Sequence, residues 1–314
     1  MKKYLAFGFT LCISSLVIAQ NRLTDSSATC IAYWKNKEKK VYVVNHIKEK
    51  QEGNAPLTRT SYTYEAHIAV MDSTGEGYTL QWQNRNYYSK DEPGVAELNA
   101  LFENLKVLYK TDGTGTFLEL VNWEEVRDFY LDLARLSLPK NDTADAIWEK
   151  TKALFQTRRA VEGTLIKDVQ LFHTFFGSEY GTRKLTAETK LPNAFGGDPI
   201  PALQTVQITR LQKTSLTYTV RTTQVIDQKN AMAMIKDIMK HFGAPEPKTM
   251  QEAETLLSNF NISDDAEMEL QVKTGWPVSL QSKRSARAMN VFQTEACQFT
   301  IKPESEAVRI HINN

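Results

Sequence analysis

The sequence has few cysteines and almost no net charge. Three of its 314 residues are cysteine, and none stands in a Cys-x-x-Cys or Cys/His spacing typical of zinc. The 38 basic residues nearly cancel the 37 acidic ones, which leaves a formal charge of +1. Such a chain lacks the basic excess with which proteins bind nucleic acid or an anionic membrane surface. We therefore expect no metal, no cofactor and no nucleic-acid partner.

Motifs of the common enzyme classes are also missing. The sequence has no Gly-x-Ser-x-Gly, P-loop or dinucleotide fingerprint, and no histidine has a second histidine four residues away. Ser137–Lys140 and Lys273–Gly275 mimic two elements of penicillin-recognising enzymes. Ser137 and Lys140, however, stand at the end of a predicted helix, where the amine does not adjoin the hydroxyl. We predict no catalytic residue, and only His173, in an apolar segment, is expected to be buried.

The one long apolar run lies at the N-terminus. Lys2 and Lys3 precede the apolar residues 4–18, and Ala19 is a small residue at which a signal peptidase would cut. The run is too short to span a bilayer, and no later run approaches the length needed. The pattern predicts a signal peptide over residues 1–19, a secreted or periplasmic location, and no transmembrane segment in the mature chain.

Cleavage would leave two cysteines, Cys30 and Cys297, in predicted strands near opposite ends of the chain. An oxidising compartment permits a disulfide between them. The alternative is a pair of buried thiols, because Cys297 alternates in register with Phe299 and Ile301. A lipid anchor at Cys12 is less favoured, because the residue before an acceptor cysteine is normally small.

Apolar residues at every second position predict antiparallel strands in the first third of the chain. Val41, Val43 and Ile47 would form the covered face of one strand. Residues 62–70 and 78–82 would form a hairpin around the polar turn 72–77. A second hairpin is predicted around the turn 112–115.

Helical spacing follows in the middle of the chain, where Asn122 and Glu125 form the pattern of a capping box. Helices are predicted to continue towards residue 177. The Pro- and Gly-rich segment 191–201 would be an irregular loop. It separates an N-terminal half, 20–190, from a C-terminal half, 191–314.

The C-terminal half is predicted to contain a hairpin, helices over 231–242 and 249–260, and four closing strands. The pattern as a whole predicts an α+β fold in two similar β-α-β halves. A strongly curved antiparallel sheet, as one half-barrel per half or as one continuous domain, would be covered by helices.

Several segments resemble the uncharacterised secreted or periplasmic proteins of Bacteroidota. The segments are the tyrosine-rich hairpin, Asp112–Phe117 leading to Asn122–Glu125, Leu191–Pro201 and Lys273–Pro277. The resemblance implies an envelope location and assigns no activity. A curved sheet covered by helices is also similar, at a greater distance, to periplasmic lipoprotein carriers.

Three functions fit this pattern. The first is a non-enzymatic secreted or periplasmic protein that binds a hydrophobic or extended ligand, such as a lipid, between sheet and helices. The second is an interaction module that binds another envelope protein, and the third is a hydrolase without a recognisable motif. Large apolar side chains would line the ligand site: Trp123, Trp148, Phe155, Met232, Ile235 and Met239.

Overall fold

A computed structural model describes residues 23–91, 101–139, 141–191, 199–226, 251, 260–288 and 290–303. The strands of these residues are β1 (Ser27–Thr29), β2 (Lys39–Glu52), β3 (Thr58–Ser73), β4 (Gly77–Tyr88), β5 (Val107–Asp112), β6 (Phe117–Leu120), β7 (Glu179–Gly181), β8 (Leu185–Leu191), β9 (Ile200–Gln212), β10 (Thr217–Ile226), β11 (Asn261–Gln271), β12 (Pro277–Ala288) and β13 (Val291–Ile301).

Eleven strands form one antiparallel sheet that is curved and does not close. Its order is β6-β5-β4-β3-β2-β13-β12-β11-β10-β9-β8, while β1 pairs with β7 in a separate ribbon. Strands that are adjacent in this sheet are consecutive in the chain, except where β13 pairs with β2. That pairing joins the chain's first long strand to its last described one. Strands on both sides of residue 191 therefore belong to one sheet, and the α+β prediction is confirmed.

Four helices follow β6 in the described part of the chain. They are α1 (Trp123–Ser137), α2 (Asp142–Leu154), α3 (Arg158–Leu165) and α4 (Lys167–His173). Asn141 and Thr157 cap α2 and α3 by accepting hydrogen bonds from the backbone N–H groups of Ala144 and Ala160. Among the described residues, no helix has both the length and the apolar character that crossing a membrane requires.

The core lies where the helices meet the sheet. Phe172 of α4 is fully buried, and its ring packs edge-on against Tyr42 of β2, Trp82 of β4 and Phe299 of β13. Trp34, after β1, adds a second aromatic layer. Aromatic side chains bury large apolar areas, so these contacts fix α4 against the centre of the sheet.

The structure corrects the predicted covered face of β2. Tyr42 and Val44 are fully buried, whereas Val41 and Val43 are half-buried on the opposite face. Period-two alternation fits both faces of this strand, because both carry apolar residues. The buried face of β2 is the one that carries Tyr42, Val44 and His46.

Two other predictions are corrected locally. Asn122 makes no capping hydrogen bond; its Oδ1 accepts from the backbone N–H of Leu108, and its Nδ2 donates to Glu125. Ile200 and Pro201 belong to β9 and Leu191 belongs to β8, so the predicted loop is shorter at both ends. Residues 192–198 and the predicted helix 231–242 lie outside the described residues, as does the predicted helix 249–260 apart from Gln251 and Phe260.

Candidate functional site

A cavity of about 340 Å³ lies between the segment after α4 and the sheet. Its lining comes from that segment, from β7 and from one face of β9 and β10: Thr174, Phe175, Ser178, Glu179, Tyr180, Gln204, Val206 and Thr222. Gln204 Nε2 donates to Thr222 Oγ1 at 3.2 Å on the sheet wall. The cavity thus combines apolar surface with hydrogen-bonding groups.

The three predicted lining residues that the structure describes do not belong to the lining of this cavity. Trp123 packs under the guanidinium of Arg127 at 5.1 Å, and Trp148 contacts Arg135 at 5.8 Å. Phe155 follows α2 and is half-buried. The other three predicted lining residues, Met232, Ile235 and Met239, lie outside the described residues.

Cys30 and Cys297 are buried free cysteines with different neighbours. The backbone N–H of Cys30 donates to Ser178, and burial raises the pKa of its thiol to about 12. Cys297 faces His46 from the adjacent strand, where the two residues are direct cross-strand partners.

A second polar site forms around Cys297. Its Sγ lies 3.4 Å from Nε2 of His46, and the same nitrogen lies 3.0 Å from Oδ2 of Asp168 on α4. Cys297 Sγ is also 3.9 Å from Asp168 Oδ1. The three side chains each offer one ligand atom, and these atoms lie within 4.8 Å of one another. The three residues could therefore hold a metal ion.

Hydrogen bonding keeps Asp168 ionised in this half-buried site. Burial by itself raises the pKa of the carboxyl, but the hydrogen bond from His46 and that from the hydroxyl of Tyr64 outweigh it. The pKa of Asp168 therefore lies below its ordinary value. Burial, followed by the charge of Asp168, raises the pKa of the Cys297 thiol well above its usual range.

The site does not have the geometry of a nucleophilic triad. In a Cys-His-Asp triad, one ring nitrogen serves the nucleophile and the other is held by the carboxylate. Here Cys297 and Asp168 both approach Nε2 of His46. The raised pKa of Cys297 also keeps the thiol protonated, whereas a nucleophile needs the thiolate.

Aromatic rings flank the three residues on the sheet. Tyr62, the cross-strand partner of His46 on β3, stacks on its imidazole with centroids 4.7 Å apart. Tyr64 lies 5.9 Å from the same ring and stacks on Tyr87 at 4.9 Å. These contacts restrict the orientation of the imidazole.

Sequence reasoning missed this site because its members are far apart in the chain. His46 and Asp168 are separated by 122 residues, and His46 and Cys297 by 251. One local indication existed: His46 continues the alternation of Tyr42 and Val44. His46 was interpreted as isolated because no second histidine lies four residues away from it.

Comparison with known proteins does not identify a family for this chain. No family model and no curated protein matches it. Among solved structures, it is similar to lipovitellin in a structure of lipid–protein interactions. That match has 12% identity, a TM-score of 0.43, and coverage of 86% of this chain and 25% of the lipovitellin chain. This chain thus spans about a quarter of that protein's length, and the predicted resemblance to a secreted family stays a prediction.

Proposed function

We propose that this protein is a non-enzymatic envelope protein that binds a hydrophobic or extended ligand between its sheet and its helices. The observation that supports the proposal is the cavity of about 340 Å³ between β9–β10 and the segment after α4. Small-molecule sites commonly occupy roughly 300–1,000 Å³, so this volume suits a small ligand or one segment of a longer one.

The lining favours a ligand with both apolar and polar parts. Phe175, Tyr180 and Val206 supply apolar contact, and burial of such surface contributes about 25 cal/mol per Å². Gln204 and Thr222 place polar side chains on the sheet wall, where they are hydrogen-bonded to each other. A fatty acid or a lipid segment that carries a hydrogen-bonding group matches this combination.

The signal peptide predicted for residues 1–19 supports an envelope location for this activity. Residues 1–19 have the charged start, apolar run and small terminal residue that direct export. An exported carrier would meet its lipid ligand in the periplasm or outside the cell.

Native mass spectrometry of the protein purified from a bacterial periplasm without detergent tests the proposal. We expect a stoichiometric added mass, which organic extraction and a second mass analysis would identify as an amphiphile. A wild-type protein without added mass would overturn the proposal and favour the second function, binding to another envelope protein.

Two matched variants locate the ligand. Val206→Trp would fill the cavity and should reduce the bound fraction at least tenfold. Gln207→Trp, on the opposite face of the same strand, should retain it. Thr222→Leu, with Thr223→Leu as its control, repeats the comparison with a smaller change if Val206→Trp does not fold. Equal occupancy in both members of the folded pair would place the ligand elsewhere.

A further inference from the structure

We propose that His46, Asp168 and Cys297 bind one zinc ion. This site goes beyond the proposed ligand cavity and shares no residue with it. The three ligand atoms come from β2, α4 and β13, and they converge on one point at the boundary between sheet and helix.

The spacing of the ligand atoms matches tetrahedral coordination. Zinc bonds of about 2.3 Å to sulfur and about 2.0–2.1 Å to nitrogen and oxygen place N and O about 3.3 Å apart, and sulfur about 3.5 Å from either. The observed separations are 3.0 Å for His46 Nε2 to Asp168 Oδ2 and 3.4 Å for Cys297 Sγ to His46 Nε2, while Cys297 Sγ lies 3.9 Å from the other carboxylate oxygen, Asp168 Oδ1. Rotation of the Asp168 carboxylate would be needed to place one of its oxygens at the ideal distance from both the nitrogen and the sulfur.

The ligand types select the metal. The Cys297 thiol would release its proton when the metal binds, so one imidazole, one carboxylate and one thiolate would form a mixed N/O/S set, whereas Mg²⁺ and Ca²⁺ take oxygen ligands. Zinc accepts all three types, and three protein ligands leave the fourth tetrahedral position open. A water molecule or a ligand group would occupy that position.

The surroundings fix the orientation of the metal ligands. The Tyr64 hydroxyl donates to Asp168 Oδ2, and the ring of Tyr62 stacks on His46 with 12° between the planes. Hydrogen bonds to metal-bound carboxylates and packing around metal-bound imidazoles are typical of the second layer of zinc sites.

The site is open enough to load from solution. The side chains of His46 and Asp168 are 19% and 26% exposed, while Cys297 is 8% exposed beneath them. A bound ion would connect the first long strand, the last described strand and α4. Because it binds only the folded arrangement, zinc would raise the free energy of unfolding.

Cobalt titration of the purified, chelator-treated protein tests the site, because Co²⁺ substitutes for Zn²⁺ and is coloured. We expect one equivalent of Co²⁺ to give a thiolate-to-cobalt charge-transfer band together with the strong visible bands of tetrahedral cobalt. One equivalent of Zn²⁺ should remove both. A wild-type protein that gives neither band overturns the proposal.

Variants of the two cysteines and of two histidines assign the ligands. Cys297→Ser should lose the charge-transfer band, and His46→Gln should weaken zinc binding at least tenfold in calorimetry. Cys30→Ser and His67→Gln change the same residue types away from the site and should bind as wild type does. A band that persists in Cys297→Ser would exclude the thiolate ligand.

Two tyrosine variants test the surroundings separately. Tyr64→Phe removes only the hydroxyl that donates to Asp168, and we expect about 10- to 100-fold weaker zinc binding. Tyr88→Phe removes the hydroxyl of an exposed tyrosine away from the site and should bind as wild type does.

Cadmium NMR of the wild-type protein provides a readout that needs no variant. A resonance in the range of one sulfur with nitrogen and oxygen ligands supports the site, and a resonance of oxygen ligands alone contradicts it. Lipid occupancy is measured independently, so failure of either proposal leaves the other testable.

Discussion

Acid should destabilise this protein through His173, a buried histidine that has no role in the two proposed sites. Its Nδ1 lies 2.7 Å from the carbonyl oxygen of Gly115, and its Nε2 lies 3.1 Å from the hydroxyl of Tyr109. The carbonyl can only accept, so Nδ1 carries the proton and Nε2 accepts from the tyrosine. A second proton on Nε2 would prevent that nitrogen from accepting, so the tyrosine oxygen would have to accept instead.

Burial lowers the pKa of His173 to about 4, from an ordinary value of 6.5. Between these values the unfolded chain binds a proton that the folded chain does not. Stability therefore falls as the pH falls, and it is fully present only above the unfolded pKa. Linkage gives a loss of about 2 kcal/mol between pH 7 and pH 5 from this residue alone.

Urea unfolding at pH 7 and pH 5 measures the effect, with His173→Gln as the reference. Glutamine can donate and accept but does not titrate, so other ionisable groups cancel in the comparison. We expect the free energy of unfolding of the wild type to fall about 2 kcal/mol more than that of the variant.

Equal losses of unfolding free energy in the wild type and in His173→Gln would refute the argument that His173 is buried as a neutral imidazole. If His173→Gln does not fold, the imidazole resonances of His173 in the wild type answer the same question by NMR. These resonances should not shift between pH 7 and pH 5, and a titration midpoint near the ordinary histidine pKa would contradict the burial argument.

Two further changes probe the fold. Gly275→Ala should lower the free energy of unfolding by more than about 2 kcal/mol, because φ is +67° and a Cβ would lie 2.3 Å from the carbonyl oxygen of Ile31. Gly163→Ala, in α3 with nothing within 4 Å of its Cβ, should instead stabilise the protein by up to about 1 kcal/mol. If both variants unfold at the same urea concentration, the close approach of Gly275 to Ile31 does not affect stability. Phe172→Ala should cost about 3–5 kcal/mol because it opens a cavity in the aromatic core, whereas Leu154→Ala, at a residue 55% exposed, should change stability by less than about 0.5 kcal/mol. Similar midpoints for this second pair would show that Phe172 does not hold α4 to the sheet.

Local patterns predicted much of the secondary structure. The turn at residues 112–115 lies where expected, because Asp112 Oδ1 accepts from the backbone N–H groups of Thr114 and Thr116, within four residues. The helix end at 137–139 and the strands around Tyr64 and Met268 are likewise set by nearby residues. Such features depend on interactions of short range, which a sequence shows directly.

The candidate cavity and the metal ligands were not predictable in the same way. The predicted lining residues Trp123, Trp148 and Phe155 have helical spacing typical of a covered face, but spacing does not say what covers them. The cavity instead forms where β7 and the end of α4 meet β9 and β10. This packing contact depends on how far the helices extend across the sheet, which helical spacing in the sequence does not show.

The sequence by itself determined the α+β class and the alternation of apolar residues in the strands, because both depend on neighbouring residues. Tertiary structure alone decided that β13 pairs with β2, which places Cys297 opposite His46. It also decided which face of β2 is covered, since both faces are apolar enough to be buried and only the packing of α4 distinguishes them. Asp168 reaches the two side chains for the same reason: contacts between residues more than a hundred positions apart are selected by the packing of the whole sheet and helices.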